Sequence, residues 1–279
     1  MKWSAFFIIV FVSSQVLISC SDNAGKDEPA PAPTSSATST APVSTTPTVE
    51  AKEKKADVAV QGLKGKVEVM SESVEYPGAS NKQLTKNVFK YDDKGNRTEL
   101  ASYVGNKVNS TIKSIYDADG KLTKEETVLG NGKVDLVSEI KTDAKGNKIE
   151  QQDIRQNSSS ILFNYKYYYK YDEKGQLLER IAYGGGGAFL FKYTFDYDAN
   201  GNKTKWSQFS SDNSLSAKVL YKYDDKNNLI EESEYGQGDV LKTTYTYAYQ
   251  FDKKGNWLRR TKLENNTPIE IKERQIAYR

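Results

Sequence analysis

The groups in this 279-residue chain that are capable of chemistry are mostly carboxylates: 37 Asp and Glu stand beside 40 Lys and Arg, one cysteine and no histidine. Without histidine there is no Ser-His-Asp or Cys-His nucleophile and no imidazole metal ligand. The single cysteine, Cys20, cannot close an intramolecular disulfide or build a Cys-rich zinc site. Three local arrangements remain. Asp117-Ala118-Asp119-Gly120 has the acidic spacing that opens a calcium loop, but the twelve-residue ligand pattern with its closing Glu is missing. Asp side chains bonding their own turn account for it better. Gly184 to Gly187 lacks the Gly-Lys-Ser/Thr and the helix of a phosphate loop, and reads as a flexible hairpin end. Two carboxylates would serve a hydrolase. None, however, sits in an irregular apolar stretch that would raise its pKa. The expectation is therefore no catalytic residue, no metal and no cofactor. A formal charge of +3 is too small to point to nucleic acid as a partner.

The N-terminus has Lys2, an apolar stretch from Ala5 to Val12, then Leu17-Ile18-Ser19-Cys20. One positive residue, a short apolar run and a small residue before a cut point describe a signal peptide. The run is too short for a transmembrane helix, which takes about 20 residues. Leu17-Ile18-Ser19-Cys20 resembles the lipobox of bacterial lipoproteins. That resemblance implies removal of residues 1–19, acylation of Cys20, and stable anchoring by two or three chains, since one chain holds a protein only marginally. Ser21, rather than Asp, follows the cysteine, which in that family favours the outer membrane. The implied location is the cell envelope, with the bilayer as partner through the lipid.

From Pro29 to Thr48 there are five Pro, four Ala, ten Ser/Thr and one Val. Such a stretch has nothing large to bury and cannot offset the entropy of ordering. Residues 20–62 therefore read as the lipidated cysteine plus a tether that lifts the rest of the chain off the bilayer. The charged stretch Glu50 to Asp57 either continues that tether or forms a short helix.

Residues 63–279 are repetitive. A phrase of the type Tyr-Asp-x-x-Gly-Asn begins at Tyr91, Tyr116, Thr142, Tyr171, Tyr197, Tyr223 and Phe251, with steps of 25, 26, 29, 26, 26 and 28 residues. Its fixed points are Asp92 with Gly95, Asp117 with Gly120, Asp172 with Gly175, Asp198 with Gly201, and Asp252 with Gly255. Asp at the start and Gly three residues on suit a type I turn followed by a left-handed residue. Asn227 is the exception at the Gly position, and Asn tolerates that backbone next best. A second turn signal lies between consecutive phrases, among them Gly130-Asn131-Gly132, Gly184 to Gly187 and Gly236 to Asp239. Each repeat of about 26 residues thus holds two strands. The sum is an all-β antiparallel meander of about sixteen strands, coiled or rolled into an elongated sheet or partial barrel, because sheets that wide do not stay flat.

The phrases resemble the YD repeat of the RHS (rearrangement hotspot) family over roughly residues 65 to 279. Long members of that family resemble β-cocoons that enclose a toxin. This chain is much shorter and has neither a downstream toxin region nor a self-cleaving core motif, so the resemblance points to a binding or scaffold module instead.

Alternation assigns the faces. Phe163, Tyr165, Tyr167, Tyr169 and Tyr171 share one face; so do Phe189, Phe191, Tyr193, Phe195 and Tyr197, and again Tyr245, Tyr247, Tyr249 and Phe251. The opposite face carries Lys166, Lys170, Lys192, Asp196, Lys222 and Gln250. The rings are expected to form the interior of the rolled sheet. Any left open would be a platform for sugar rings or a peptide, Tyr having an apolar body and a polar tip. The candidates are Trp206 and Trp257, each just after a turn, with Tyr167, Tyr193 and Tyr247. An outer-membrane barrel is disfavoured, because Asn87, Ser114 and Ser138 break the aromatic columns where a lipid face should be apolar. The functional expectation is an envelope-anchored, non-catalytic binding or scaffold lipoprotein, with a glycan or envelope protein as ligand. The alternatives are a structural element of an envelope complex or contact-dependent system and, third, a hydrolase.

Overall fold

The computed structural model describes residues 56–79, 85–156 and 164–279. Cys20 and most of the tether lie outside the described residues, as does Phe163. Sixteen strands are found among the described residues. They are β1 (Val67–Glu75), β2 (Thr85–Tyr91), β3 (Arg97–Val104), β4 (Lys107–Tyr116), β5 (Leu122–Leu129), β6 (Val134–Thr142), β7 (Lys148–Arg155) and β8 (Tyr165–Tyr171). They continue as β9 (Leu177–Gly184), β10 (Phe189–Tyr197), β11 (Lys203–Phe209), β12 (Leu215–Tyr223), β13 (Leu229–Tyr235), β14 (Leu241–Phe251), β15 (Trp257–Glu264) and β16 (Thr267–Tyr278). One short helix, α1 (Asp57–Val60), precedes them.

The strand count and meander agree with the sequence. The elongated open sheet does not: β1 pairs antiparallel with β16 and the sheet closes into a barrel. Closure has a visible cause. The register slips by one residue next to each phrase, between Lys90 and Tyr91, Ile115 and Tyr116, Lys141 and Thr142, Lys170 and Tyr171, Asp196 and Tyr197, Lys222 and Tyr223, and Gln250 and Phe251. A bulge of this kind increases the local right-handed twist, and with further slips at the far hairpin ends the repeated bulges bring the ends of the ribbon together. Pairing the ends then satisfies both edge strands. At the seam Met70 faces Ile276 and Glu72 faces Arg274, whose Nε donates to the Glu72 carboxylate at 2.9 Å.

A strap across the seam completes that rim. Val58 N donates to Gly95 O at 3.0 Å, and Arg97 N donates to Asp57 Oδ2 at 2.8 Å. Further on, Lys64 N donates to Asn256 Oδ1 at 2.7 Å, while Asn256 Nδ2 donates back to Lys64 O at 2.9 Å. The strap thus ties the first phrase to the last. Val58 and Leu63 are buried, so Asp57 to Gln61 belong to the barrel although the sequence places them in the tether.

Alternation fixes which face looks inward. Met70, Phe89, Leu100, Leu136, Ile140, Tyr167, Phe195 and Trp206 are buried and share one face through the registers. Lys90, Lys170, Asp196, Lys222 and Gln250 are exposed on the other. The hydrogen bonds, ion pairs and ring contacts of the described inner wall run between strands at most two places apart. Barrels of this strand number leave a lumen rather than a packed core.

Candidate functional site

The turn-defining residues form one rim and are structural. The Asp92 carboxylate accepts from Lys94 N at 2.9 Å, Asn96 N at 2.8 Å and Asn96 Nδ2 at 3.0 Å. The same clasp recurs at Asp143 with Asn147, Asp198 with Asn202 and Asp224 with Asn228, while Asp252 accepts from Lys254 N and Asn256 N and Asp172 accepts from Gln176 N. Asp117 receives Lys121 N at 2.8 Å, the Asx-turn chemistry expected there in place of a calcium loop. The left-handed position is occupied by Gly95, Gly120, Gly146, Gly175, Gly201 and Gly255, and by Asn227 with φ 64°. The Asn202 hydrogen bonds lower the Asp198 carboxyl below the usual carboxylate range, and those of Asn228 do the same for Asp224.

The phrase tyrosines have a role that the sequence left unexplained. Tyr116 Oη donates to Arg97 O at 2.8 Å, Tyr197 Oη to Leu177 O at 2.9 Å and Tyr223 Oη to Lys203 O at 2.9 Å. Each reaches back 19 or 20 residues and fastens its phrase to the strand that follows the previous one. Tyr249 Oη does this for the last phrase, whose own first residue is Phe251. Tyr278, at the chain end, hydrogen-bonds Asp252 and Asn256. Tyr91 and Tyr171 do not show this bond, and the Tyr91 hydroxyl is buried with no partner.

The inner wall is the candidate binding surface, and the five ring candidates all lie on it. Trp206 does not stand open. It faces Phe195 in the register and is 2% exposed, which overturns the expectation of an exposed platform there. Trp257 lies beneath the Arg274 guanidinium at 3.5 Å. Tyr167 is buried, with the Arg180 guanidinium 4.6 Å from its ring centre. Tyr193 is half-buried, stacked on Phe191 at 4.7 Å and tilted against Trp206 at 5.2 Å. Tyr247 is half-buried and its hydroxyl donates to Glu232 at 2.8 Å.

Between these rings the inner wall also carries charge, which the sequence reading did not assign to it. Arg97 bonds Glu125 at 2.6 Å. Lys262 bonds Glu232 at 2.8 Å and sits 3.6 Å from the Tyr245 ring centre. Asp153 accepts from Ser138 Oγ and Gln151 Nε2, both at 2.6 Å, and burial pushes its pKa up. Burial also raises Glu234, with the Glu232 charge adding to the effect, and lowers Lys203.

The outer wall carries ladders of ion pairs. It carries Lys90–Glu99 at 3.0 Å, Lys166–Glu150 at 3.2 Å, Lys205–Asp196 at 2.9 Å, Lys222–Glu231 at 2.8 Å and Arg259–Glu273 at 2.7 Å. A lipid-facing Lys or Arg costs about 2–4 kcal/mol at the bilayer midplane. Asn87, Ser114 and Ser138, taken above as breaks in a lipid face, point inward instead. The outward charges are what disfavour a spanning barrel.

No family model matches the chain, and no curated protein does. Solved structures are similar to it. A porin-like protein from Bacteroides uniformis is 11% identical, with a TM-score of 0.55 over 76% of this chain and 98% of that one. A porin-like protein from Bacteroides vulgatus is 14% identical, with a TM-score of 0.47 over 74% of this chain and 97% of that one. The first likeness shows a common barrel architecture and nothing further.

Proposed function

We propose that this chain is a non-catalytic, lipid-anchored protein of the bacterial envelope whose barrel binds a glycan on its inner wall. One observation carries the reading. Tyr165, Phe191, Tyr193, Tyr245, Tyr247 and Tyr249 stand half-buried on the lumen side, with polar or charged groups between them. Such a surface offers flat apolar faces for sugar rings and hydrogen-bonding groups for their hydroxyls. The lipobox at Cys20 and the tether support anchoring, and the recurring turn supports kinship with YD-repeat proteins. The charged outer wall favours a barrel held beside the membrane by its lipid, not inserted in it.

The test is a glycan array probed with the Cys20→Ala chain, which lacks the acyl anchor. Concentration-dependent binding to a defined glycan set is expected, and no binding to any glycan refutes the reading. The outer wall favours a second role, a structural or protein-interaction element of an envelope complex or contact-dependent system. Its ladders of opposite charge offer complementarity to a polar partner. A stoichiometric complex with a purified envelope protein, without glycan binding, would support that alternative.

A further inference from the structure

The arginines of this barrel are paired with carboxylates, with one exception among the described residues. Arg97 has Glu125 at 2.6 Å, Arg155 has Asp135 at 2.7 Å, Arg259 has Glu273 at 2.7 Å, Arg260 has Glu270 at 3.9 Å and Arg274 has Glu72 at 2.9 Å. Arg279 pairs with Asp93. Arg180 has no carboxylate within ion-pair distance. It lies on the inner face of β9, opposite Tyr169 on one side and Tyr193 on the other.

Its surroundings are aromatic. The guanidinium carbon is 4.6 Å from the Tyr167 ring centre, 5.5 Å from that of Tyr193 and 5.9 Å from that of Phe191. Ala182, opposite both Tyr167 and Phe191, has no side chain long enough to keep these groups apart. The Arg180 Nε is buried without a partner, and the half-buried guanidinium has the Tyr167 hydroxyl as a hydrogen-bonding neighbour. The carboxylate whose charge Arg180 does feel, Asp153, is already held by Ser138 and Gln151. Ring faces fix a cation in place but accept none of its in-plane hydrogen bonds. What is left is a planar guanidinium on the inner wall, held by rings and without a carboxylate partner. That is the geometry that takes a carboxylate with two parallel bonds.

We infer that Arg180 receives the carboxylate of an acidic sugar, with the rings of Tyr193 and Phe191 against the sugar body. The inference rests on the glycan reading above and narrows it to uronic-acid-containing chains. Binding weakens with salt, because part of it is charge attraction.

The probes are oligogalacturonate, its methyl ester and a neutral chitooligosaccharide, each titrated calorimetrically into the acyl-free chain and its Arg180→Gln variant. The acid is expected to bind and the methyl ester to bind roughly tenfold more weakly, as befits the loss of a charged hydrogen-bonded pair. Arg180→Gln is expected to lose that preference while keeping the parent's cooperative melt. Arg180→Lys, which keeps the charge but not the fork, is expected to fall between them. Equal binding of acid and ester, or an Arg180→Gln variant that still prefers the acid, overturns the Arg180 assignment. Binding of the neutral chain alone overturns it too, yet leaves the glycan reading standing. Binding of none of the three probes, with an array blank for every acidic and neutral glycan, overturns both.

Discussion

The phrase tyrosine gives a prediction that separates a staple from a spectator at the same repeat position. In Tyr223→Phe the ring stays and only the hydroxyl leaves, so packing is conserved. The structure assigns that hydroxyl one bond, 2.9 Å to Lys203 O. A net protein hydrogen bond is worth about 1 kcal/mol, and the carbonyl left behind adds to the loss where water cannot reach it. The estimate is therefore a destabilisation of about 1–2 kcal/mol, or roughly 2–8 °C in melting temperature for a domain of this size. Tyr91→Phe removes the same atom from the first phrase, where it is buried with no partner. Removing an unsatisfied buried hydroxyl is expected to be neutral or stabilising. The assay is paired thermal and urea unfolding of the acyl-free chain and both variants, with equal m-values as the check on two-state behaviour. Equal losses in the two variants, or a larger loss in Tyr91→Phe, would refute the staple argument.

Three further outcomes follow from the same geometry. Gly201→Val places a β-branched residue at φ +86°, with a new Cβ 2.9 Å from the Gln176 side-chain amide, and is expected to cost more than about 1 kcal/mol in a urea melt; an unchanged midpoint would count against the turn geometry. Cys20→Ala is expected to release the protein from membranes and abolish palmitate labelling, and continued labelling would sink the lipoprotein assignment. Burial raises Tyr197 and Tyr223 from 10.0 to about 12, so the fold favours their neutral phenols. Their contribution is complete below pH 10.0 and is lost as pH rises toward about 12; a tyrosinate titration complete by pH 10.5 without unfolding would contradict it.

The turns were legible because a type I turn with a left-handed residue is a local event, written in an Asp and, three positions on, a Gly in every phrase but the one with Asn227. The strands between them were legible from composition and alternation. Closure was not, since it depends on Val67 to Glu75 meeting Ile271 to Tyr278 about 200 residues later and on twist summed over bulges along the whole ribbon. The charged lining escaped for a different reason. In β7 the run Glu150-Gln151-Gln152-Asp153 is polar on both faces, so alternation carries no information about which side looks inward. There the neighbours decide: Gln151 faces Ile140 and Tyr167, and is buried with them. Trp206 was misplaced because proximity to a turn was taken for exposure, while its register opposite Phe195 puts it inside. The strap was hidden because Val58-Ala59-Val60 and Leu63 are short apolar pieces in a charged and glycine-bearing stretch.

The inner wall as the binding surface is the central claim, and one comparison tests it most directly. Tyr193 lies on the inner wall and Tyr168 on the outer, where it is 38% exposed beside Lys166. For the tightest glycan from the array, the dissociation constant is measured for the acyl-free chain, Tyr193→Ala and Tyr168→Ala, each with a melt to establish folding. Loss of a stacking ring should weaken binding roughly tenfold in Tyr193→Ala, by analogy with the cost of other ring deletions at binding sites, and leave Tyr168→Ala unchanged. Weakening in Tyr168→Ala with full affinity in a folded Tyr193→Ala would contradict the account.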